Sequence, residues 1–261
     1  MRKIALFALC LSLPLLAAAA EDKAAPGEPA AATVNYEEWH AGNDVSNTAS
    51  LQRGARNFAG YCLGCHSMKF VRWSRLGIDL KIAPALLEQN LLPAGAKPAD
   101  YVQSSLRSED AVAWFGKEPP DLSLIARSRG VDHVYRFLKT FYSDPARGTG
   151  ANNLVLEGAA MPAVLSELEG VKGAVYKNVE VKVDGKATAQ KQFDHFEQLA
   201  PGLMTAAEFD GFVRDTVNFL DYAGEPAQVD RRSTGVWVVL FLLVFTWFAL
   251  LLKKEYWKDV H

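Results

Sequence analysis

The run GVWVVLFLLVFTWFALLL, Gly235 to Leu252, is eighteen residues without a charge. A helix that is apolar on every face has to be covered all round. At about 1.5 Å of rise per residue its length nearly matches a ~30 Å hydrocarbon layer. The segment is therefore expected to anchor the chain in a membrane over residues 234–252. Trp237 and Trp257 fall where interfacial aromatics sit, and Lys253, Lys254 and Lys258 follow the run.

The other end is apolar in a different way. MRKIALFALCLSLPLLAAAA places Arg2 and Lys3 before an apolar stretch and four alanines after it, the layout of a secretory signal with cleavage after Ala20. A retained N-terminal anchor is the alternative, but the stretch is short and broken by Pro14. Cleavage would remove Cys10 and leave Cys62 and Cys65 as the mature cysteines. The expected organisation is a signal over 1–20, a flexible Ala- and Pro-rich segment over 21–35 and a folded extracytoplasmic domain over 36–224. A linker over 225–233, the anchor over 234–252 and a cytoplasmic tail over 253–261 complete it. The lysine-rich tail suits that orientation, although Arg231 and Arg232 lie on the outer side. Residues 21–230 carry 21 Lys and Arg against 28 Asp and Glu, a formal charge of −7. That sign disfavours nucleic acid as a partner. It suits a basic protein, or solubility alone.

Two long helices are legible. One runs from about Asn47 to Tyr61, with Gly54, Phe58 and Cys62 four apart on one face. A glycine there weakens the helix but lets another helix come close. The second follows Thr205 and Glu208, a capping-box pair, with Phe209, Phe212, Val213, Val217 and Leu220 at helical steps and Gly224 and Pro226 as the stop. Shorter helices are expected at DHVYRFLKTFY and PAVLSELEG. VYKNVEVKVDGKATAQKQF reads as a hairpin turning at Asp184-Gly185. The prediction is a mainly α domain with long loops and one small β-hairpin insertion, plus one C-terminal transmembrane helix.

GYCLGCHSM holds Cys62, Cys65 and His66 in the spacing C-x-x-C-H, the pattern for covalent attachment of c-type haem. Two thiols three apart near a helix end can reach the vinyl groups on one porphyrin edge while the next histidine faces the iron. The competing readings are a structural disulfide, a thioredoxin-like thiol pair and a zinc site. The second would need the motif after a strand, and the third a second ligand pair. A sixth iron ligand could come from Met68, Met161, Met204, His40, His133 or His195. Met68 is too near His66 in sequence, and Met204 sits at a helix lip where packing is the simpler role. Met161, in GAAMPAVL, lies in a small-residue loop fixed by Pro162 and is the favoured ligand; His133 and His195 are the alternatives. The propionates of one haem c would need cations, and Arg127 and Arg129, after Pro119-Pro120, are either those partners or solvated surface residues.

Taken together, LQRGARNFAGYCLGCHSM, PPDLSLIARSRG, GAAMPAVL, FVRDTVNFLDYAGEP and LLKKEYWKDVH after a single span resemble the cytochrome c1 family in its bacterial form, over almost the whole mature chain. The resemblance implies a class I cytochrome c-like haem domain, thioethers at Cys62 and Cys65, and His66 and Met161 as axial ligands. It also implies Pro120 in the haem pocket and an arginine, Arg129 ahead of Arg127, on a propionate. It implies that the helix ending at Cys62 crosses the helix from Thr205 to Tyr222 with Gly54 at the crossing. The match departs at His133, where relatives carry an aromatic. The implied role is an electron-transfer subunit of a quinol–cytochrome c reductase, not a catalyst alone. It would pass electrons from a Rieske iron–sulfur protein to a cytochrome c beside cytochrome b. The implied address is the bacterial inner membrane, with the haem domain in the periplasm. A stand-alone tethered shuttle donating to an oxidase, a haem enzyme or gas sensor with an open distal site, and a thiol–disulfide oxidoreductase are the rival readings.

Overall fold

The computed structural model describes residues 35–183 and 186–259. The expected signal, all but the last residue of the expected flexible segment, and the Asp184-Gly185 turn lie outside the described residues.

Two long helices form the frame. Helix α1, Thr48–Tyr61, is capped by Asn47, whose side-chain oxygen accepts the Ser50 N–H at 3.1 Å and satisfies a donor the helix start would otherwise orphan. Helix α8, Ala206–Gly224, begins with the full capping box. Thr205 Oγ1 accepts from Glu208 N at 3.3 Å, and the Glu208 carboxylate accepts from Thr205 N at 2.9 Å. The stripe Phe209, Phe212, Val213, Val217 and Leu220 is buried along its length.

The helices cross at Gly54, as the family resemblance implied. A Cβ at that position would stand 2.1 Å from the Asp215 carbonyl oxygen and 2.6 Å from Phe219 Cβ. Hydrogen bonds fix the register of the crossing. Asn57 Nδ2 donates to Phe212 O and Thr216 Oγ1, both at 3.2 Å, and Ser50 Oγ donates to Asp215 Oδ1 at 2.6 Å. Phe58 and Phe219 stack obliquely beside them, ring centres 5.8 Å apart.

Short elements wrap this pair. Strand β1, Met68–Arg72, pairs antiparallel with β2, Tyr101–Val102, across helices α2, Trp73–Asp79, and α3, Pro84–Asn90. Helix α4, Ser108–Phe115, is followed by α5, Ile125–Arg129, and α6, Val131–Lys139. Strand β3, Phe141–Ser143, then pairs with β4, Ala151–Asn153. Helix α7, Ser166–Glu169, leads into the hairpin of β5, Gly170–Val183, and β6, Lys186–Pro201. The hairpin is longer than its valine alternation indicated, and the described residues hold three two-stranded sheets rather than one. Both helices expected at DHVYRFLKTFY and PAVLSELEG form, the first ending at Lys139 because Phe141 and Tyr142 are drawn into β3.

Asp210 on α8 accepts from Tyr135 and Lys139 of α6 and from Arg214 Nε at 2.6 Å. Arg214 in turn donates to the carbonyls of His40 and Ala41, so the segment before α1 is clasped to both helices. Partial burial alone would push the Asp210 carboxyl up. The hydrogen bonds from Lys139, Tyr135 and Arg214 together outweigh it and hold the group at about 2. A carboxyl lowered on folding adds stability that is complete above its unfolded value near 4 and is lost as pH falls through about 2. Acid titration of the unfolding midpoint is expected to show this contribution, about 2 kcal/mol, and Asp210→Asn to abolish that part of the pH dependence. An unchanged acid limb in the variant would show that the clasp is not the source.

Within the residues expected as a linker, 225–233, a new helix already begins at Gln228. Helix α9, Gln228–Tyr256, is one continuous element, long and apolar enough to cross a membrane, and none of its side chains is buried. Only Glu225, Pro226 and Ala227 separate it from α8. The Glu225 carboxylate accepts both Nε and, at 3.0 Å, Nη2 of Arg231 on α9, with Arg127 Nη1 of α5 at 3.8 Å.

Candidate haem site

The C-x-x-C-H turn grows directly out of α1. Cys62 N and Leu63 N both donate to Phe58 O at 2.9 Å, and the Cys62 carbonyl accepts from Cys65 N at 3.1 Å and His66 N at 2.8 Å. Cys62 is half-buried against the main core, Cys65 is exposed, and both are free thiols. Burial, with Cys65 beside it, pushes the Cys62 thiol up to about 12. Thiol–disulfide exchange proceeds through a thiolate, so this environment is a poor one for a redox pair. Among the described residues no group of three or more His, Cys, Asp or Glu could hold a metal ion.

His66 is oriented by the segment PPDLS. Its Nδ1 faces the Pro120 carbonyl at 2.8 Å. A carbonyl only accepts, so Nδ1 carries the proton and Nε2 keeps its lone pair for a metal. Burial pushes the imidazole below its ordinary range, against the opposing influence of the Pro120 carbonyl and Asp121, which keeps the ligating neutral form. The two segments are joined at three further points. Leu122 N donates to Ser67 O at 2.9 Å, Lys69 N to Asp121 Oδ2 at 2.8 Å and Phe70 N to Ser123 Oγ at 3.2 Å. Asp121 Oδ1 also accepts from Ser123 N at 2.9 Å, an Asx turn that holds the segment's shape. From the other side Ser104 Oγ donates to Gly64 O at 2.8 Å while Ser104 N donates to Ser67 Oγ at 2.9 Å. Ser67, Ser104 and Asp121 thus support the turn. Asp121 had a local signal in its spacing to Ser123, but Ser104 had none.

The other candidate residues are distributed as follows. Met161 is half-buried in a small cluster with Phe137, Phe141, Ala151, Ala159 and Ala163, separate from the core that holds Cys62. Met68 is fully buried in the main core, and Met204 packs on that core. His40 bonds Asp132 at 2.7 Å and His195 bonds Asp194 at 2.9 Å. His133 is half-buried on α6, its imidazole pushed down by burial and then by Arg129 and Arg136. Arg127 and Arg129 are both exposed, and only Arg127 has a carboxylate neighbour among the described residues, Glu225. Two free thiols beside an imidazole with a bare Nε2 are the donor set that covalent haem requires, and the residues present fit that group.

Residues 40–260 match the model of the cytochrome C1 family. The chain belongs to the cytochrome c1 family. A cytochrome c1 of Allochromatium vinosum is 44% identical over 218 residues, covering 84% of this chain and 87% of its own. The ammonia monooxygenase gamma subunit of Nitrosomonas europaea is 39% identical over 218 residues, 84% of this chain and 86% of its own. A cytochrome c1 of Rhodospirillum rubrum is 32% identical over 238 residues, with 80% and 81% covered. As a member of this family the chain carries one covalently bound haem c and is a haem subunit of a cytochrome bc1 complex, with an electron-transfer role in the respiratory chain. The family implies an assembly with cytochrome b and a Rieske protein. Its single C-terminal apolar helix fits a single-pass membrane anchor.

Proposed function

We propose that Cys62 and Cys65 form the thioethers, that His66 and Met161 are the axial ligands, and that the subunit passes electrons from a Rieske iron–sulfur protein to a cytochrome c. The observation that carries this reading is the His66–Pro120 hydrogen bond, which puts the proton on Nδ1 and leaves Nε2 as the ligating nitrogen of a histidine next in sequence to Cys65. Haem supplies a one-electron carrier whose potential a thioether ligand raises relative to a second imidazole. The chain's own residues do the rest. Pro120 fixes the tautomer of His66, and Ser67 and Asp121 keep Pro120 in place. Met161 packs on a small apolar cluster of Phe137, Phe141 and three alanines. Arg129 is the propionate partner of the arginine pair, since Arg127 lies 3.8 Å from Glu225. The domain 36–224 stands in the periplasm with 253–261 in the cytoplasm, a reading supported by the three lysines after the span. The acidic balance of the domain suits a basic cytochrome c.

The test is gentle detergent purification of the tagged chain from its native membranes. We expect two b haems and an iron–sulfur centre for each c haem, with quinol-dependent reduction of cytochrome c. A c haem alone, without quinol activity, would instead identify a tethered shuttle.

A further inference from the structure

Met161 lies on a loop that leads into α7, and α7 ends at Glu169, three residues before Lys172 on β5. The Lys172 side chain is 7% exposed. Its ammonium donates to the Lys139 carbonyl at the end of α6 at 2.7 Å, pairs with Glu169, and stands 4.3 Å over the Phe196 ring of β6. Lys139 is itself held to α8 through Asp210, so the anchor point is fixed to the frame. A cavity of about 240 Å³ opens alongside, and Phe141, Met161, Pro162, Leu165, Glu169 and Lys172 are among its walls. The Met161 loop therefore has free space on one side and a charged clasp at the end of that space.

A buried ion pair is weak evidence for stability, because well-packed apolar residues often serve as well, and its better-attested use is to select one arrangement among several. An apolar contact would let α7 slide against α6 and β5. An ammonium with a carbonyl, a carboxylate and a ring face as partners does not tolerate such sliding. Burial pushes Lys172 down and Glu169 up against their mutual attraction, so the site disfavours either charge left without its partner.

We propose that Lys172 and Glu169 are positioning residues for the distal ligand. By tying α7 and the hairpin base to the end of α6, they hold the Met161 loop in the one placement from which its thioether can ligate. This inference rests on Met161 being that ligand. Neither residue touches the donor set, so both act through the loop.

The test uses the full-length holoprotein in detergent and reads the Met–iron charge-transfer band and the midpoint potential. Lys172→Met with Glu169→Gln removes the clasp without leaving a buried charge unpaired, and Lys172→Gln, which keeps a donor for the Lys139 carbonyl, is the milder probe. Asp79→Asn is the control for general loss of stability, because it removes the carboxylate charge that pairs with Arg75 on α2 and accepts from Tyr222 of α8. We expect covalent haem to be retained in all of them. The double variant loses most of the band and has a lower potential, Lys172→Gln loses part of the band, and Asp79→Asn keeps it. A parental band and potential in both clasp variants overturns the inference, as does an equal loss in Asp79→Asn. Met161→Ala separates the two readings. A band lost there but intact without the clasp sinks this inference alone, whereas a band that survives Met161→Ala removes both.

Discussion

Gly54→Val is expected to prevent accumulation of the haem-bearing domain, and Gly54→Ala to destabilise it by about 3 kcal/mol despite a ~1 kcal/mol gain in helix propensity. The added carbon meets the Asp215 carbonyl oxygen at 2.1 Å and its carbonyl carbon at 2.8 Å. These are backbone atoms of a long helix and cannot rotate away as a side-chain end would. Relief requires α1 and α8 to separate, and separation breaks the bonds of Asn57 to Phe212 O and Thr216 and of Ser50 to Asp215. Buried donors left without acceptors add their own cost. Because the Cys62 N–H hangs from Phe58 O at the end of the same helix, the displaced α1 carries the attachment turn with it. Denaturant unfolding followed by circular dichroism, with covalent haem read on a denaturing gel, measures both effects. A Gly54→Ala midpoint equal to the parent's would mean the helices do not meet this closely.

Met161→Ala is expected to leave haem covalently attached and to abolish the Met–iron charge-transfer band. The midpoint potential should fall by hundreds of millivolts, within the ~0.8 V range that axial ligands span. In the proposed site the thioether bonds belong to Cys62 and Cys65, so attachment and distal ligation would separate cleanly in this variant. Its small cluster loses one side chain and otherwise remains, because Phe137 and Phe141 pack on each other with ring centres 5.0 Å apart. Redox titration in detergent and the near-infrared spectrum provide the readouts. An intact band would transfer the distal role to another residue, with His133 the first to replace.

The two framing helices were readable because their signals are local: the Asn47 cap, the Thr205–Glu208 box and an apolar stripe repeated over several turns. The hairpin was readable from valine alternation around Asp-Gly, although its outer residues, Gly170 and Pro201 at the base, pair without any such pattern. The β1–β2 ladder was not, since Met68 and Val102 find each other across two short helices and no turn chemistry marks them. The site divides the same way. C-x-x-C-H announces its donors by spacing, whereas Ser104 reaches the Gly64 carbonyl from forty residues away. Lys172 and Glu169 stand at helical spacing but on two different elements, so neither periodicity reveals the pair. The neighbourhood of Arg127 and Glu225 also needed coordinates, because only the fold brings the two together.

The three-residue break between α8 and α9 has a mechanical consequence. A carrier on a long floppy leash can travel to meet its donor and acceptor in turn. Here the leash is Glu225, Pro226 and Ala227, and Glu225 is gripped by Arg231 on the stalk with Arg127 of the domain beside it. A break of three residues gives the domain little reach. With α9 as the membrane anchor, the domain would be a fixed port at a set height above the lipid, and any commuting between redox centres would fall to the molecules that visit it.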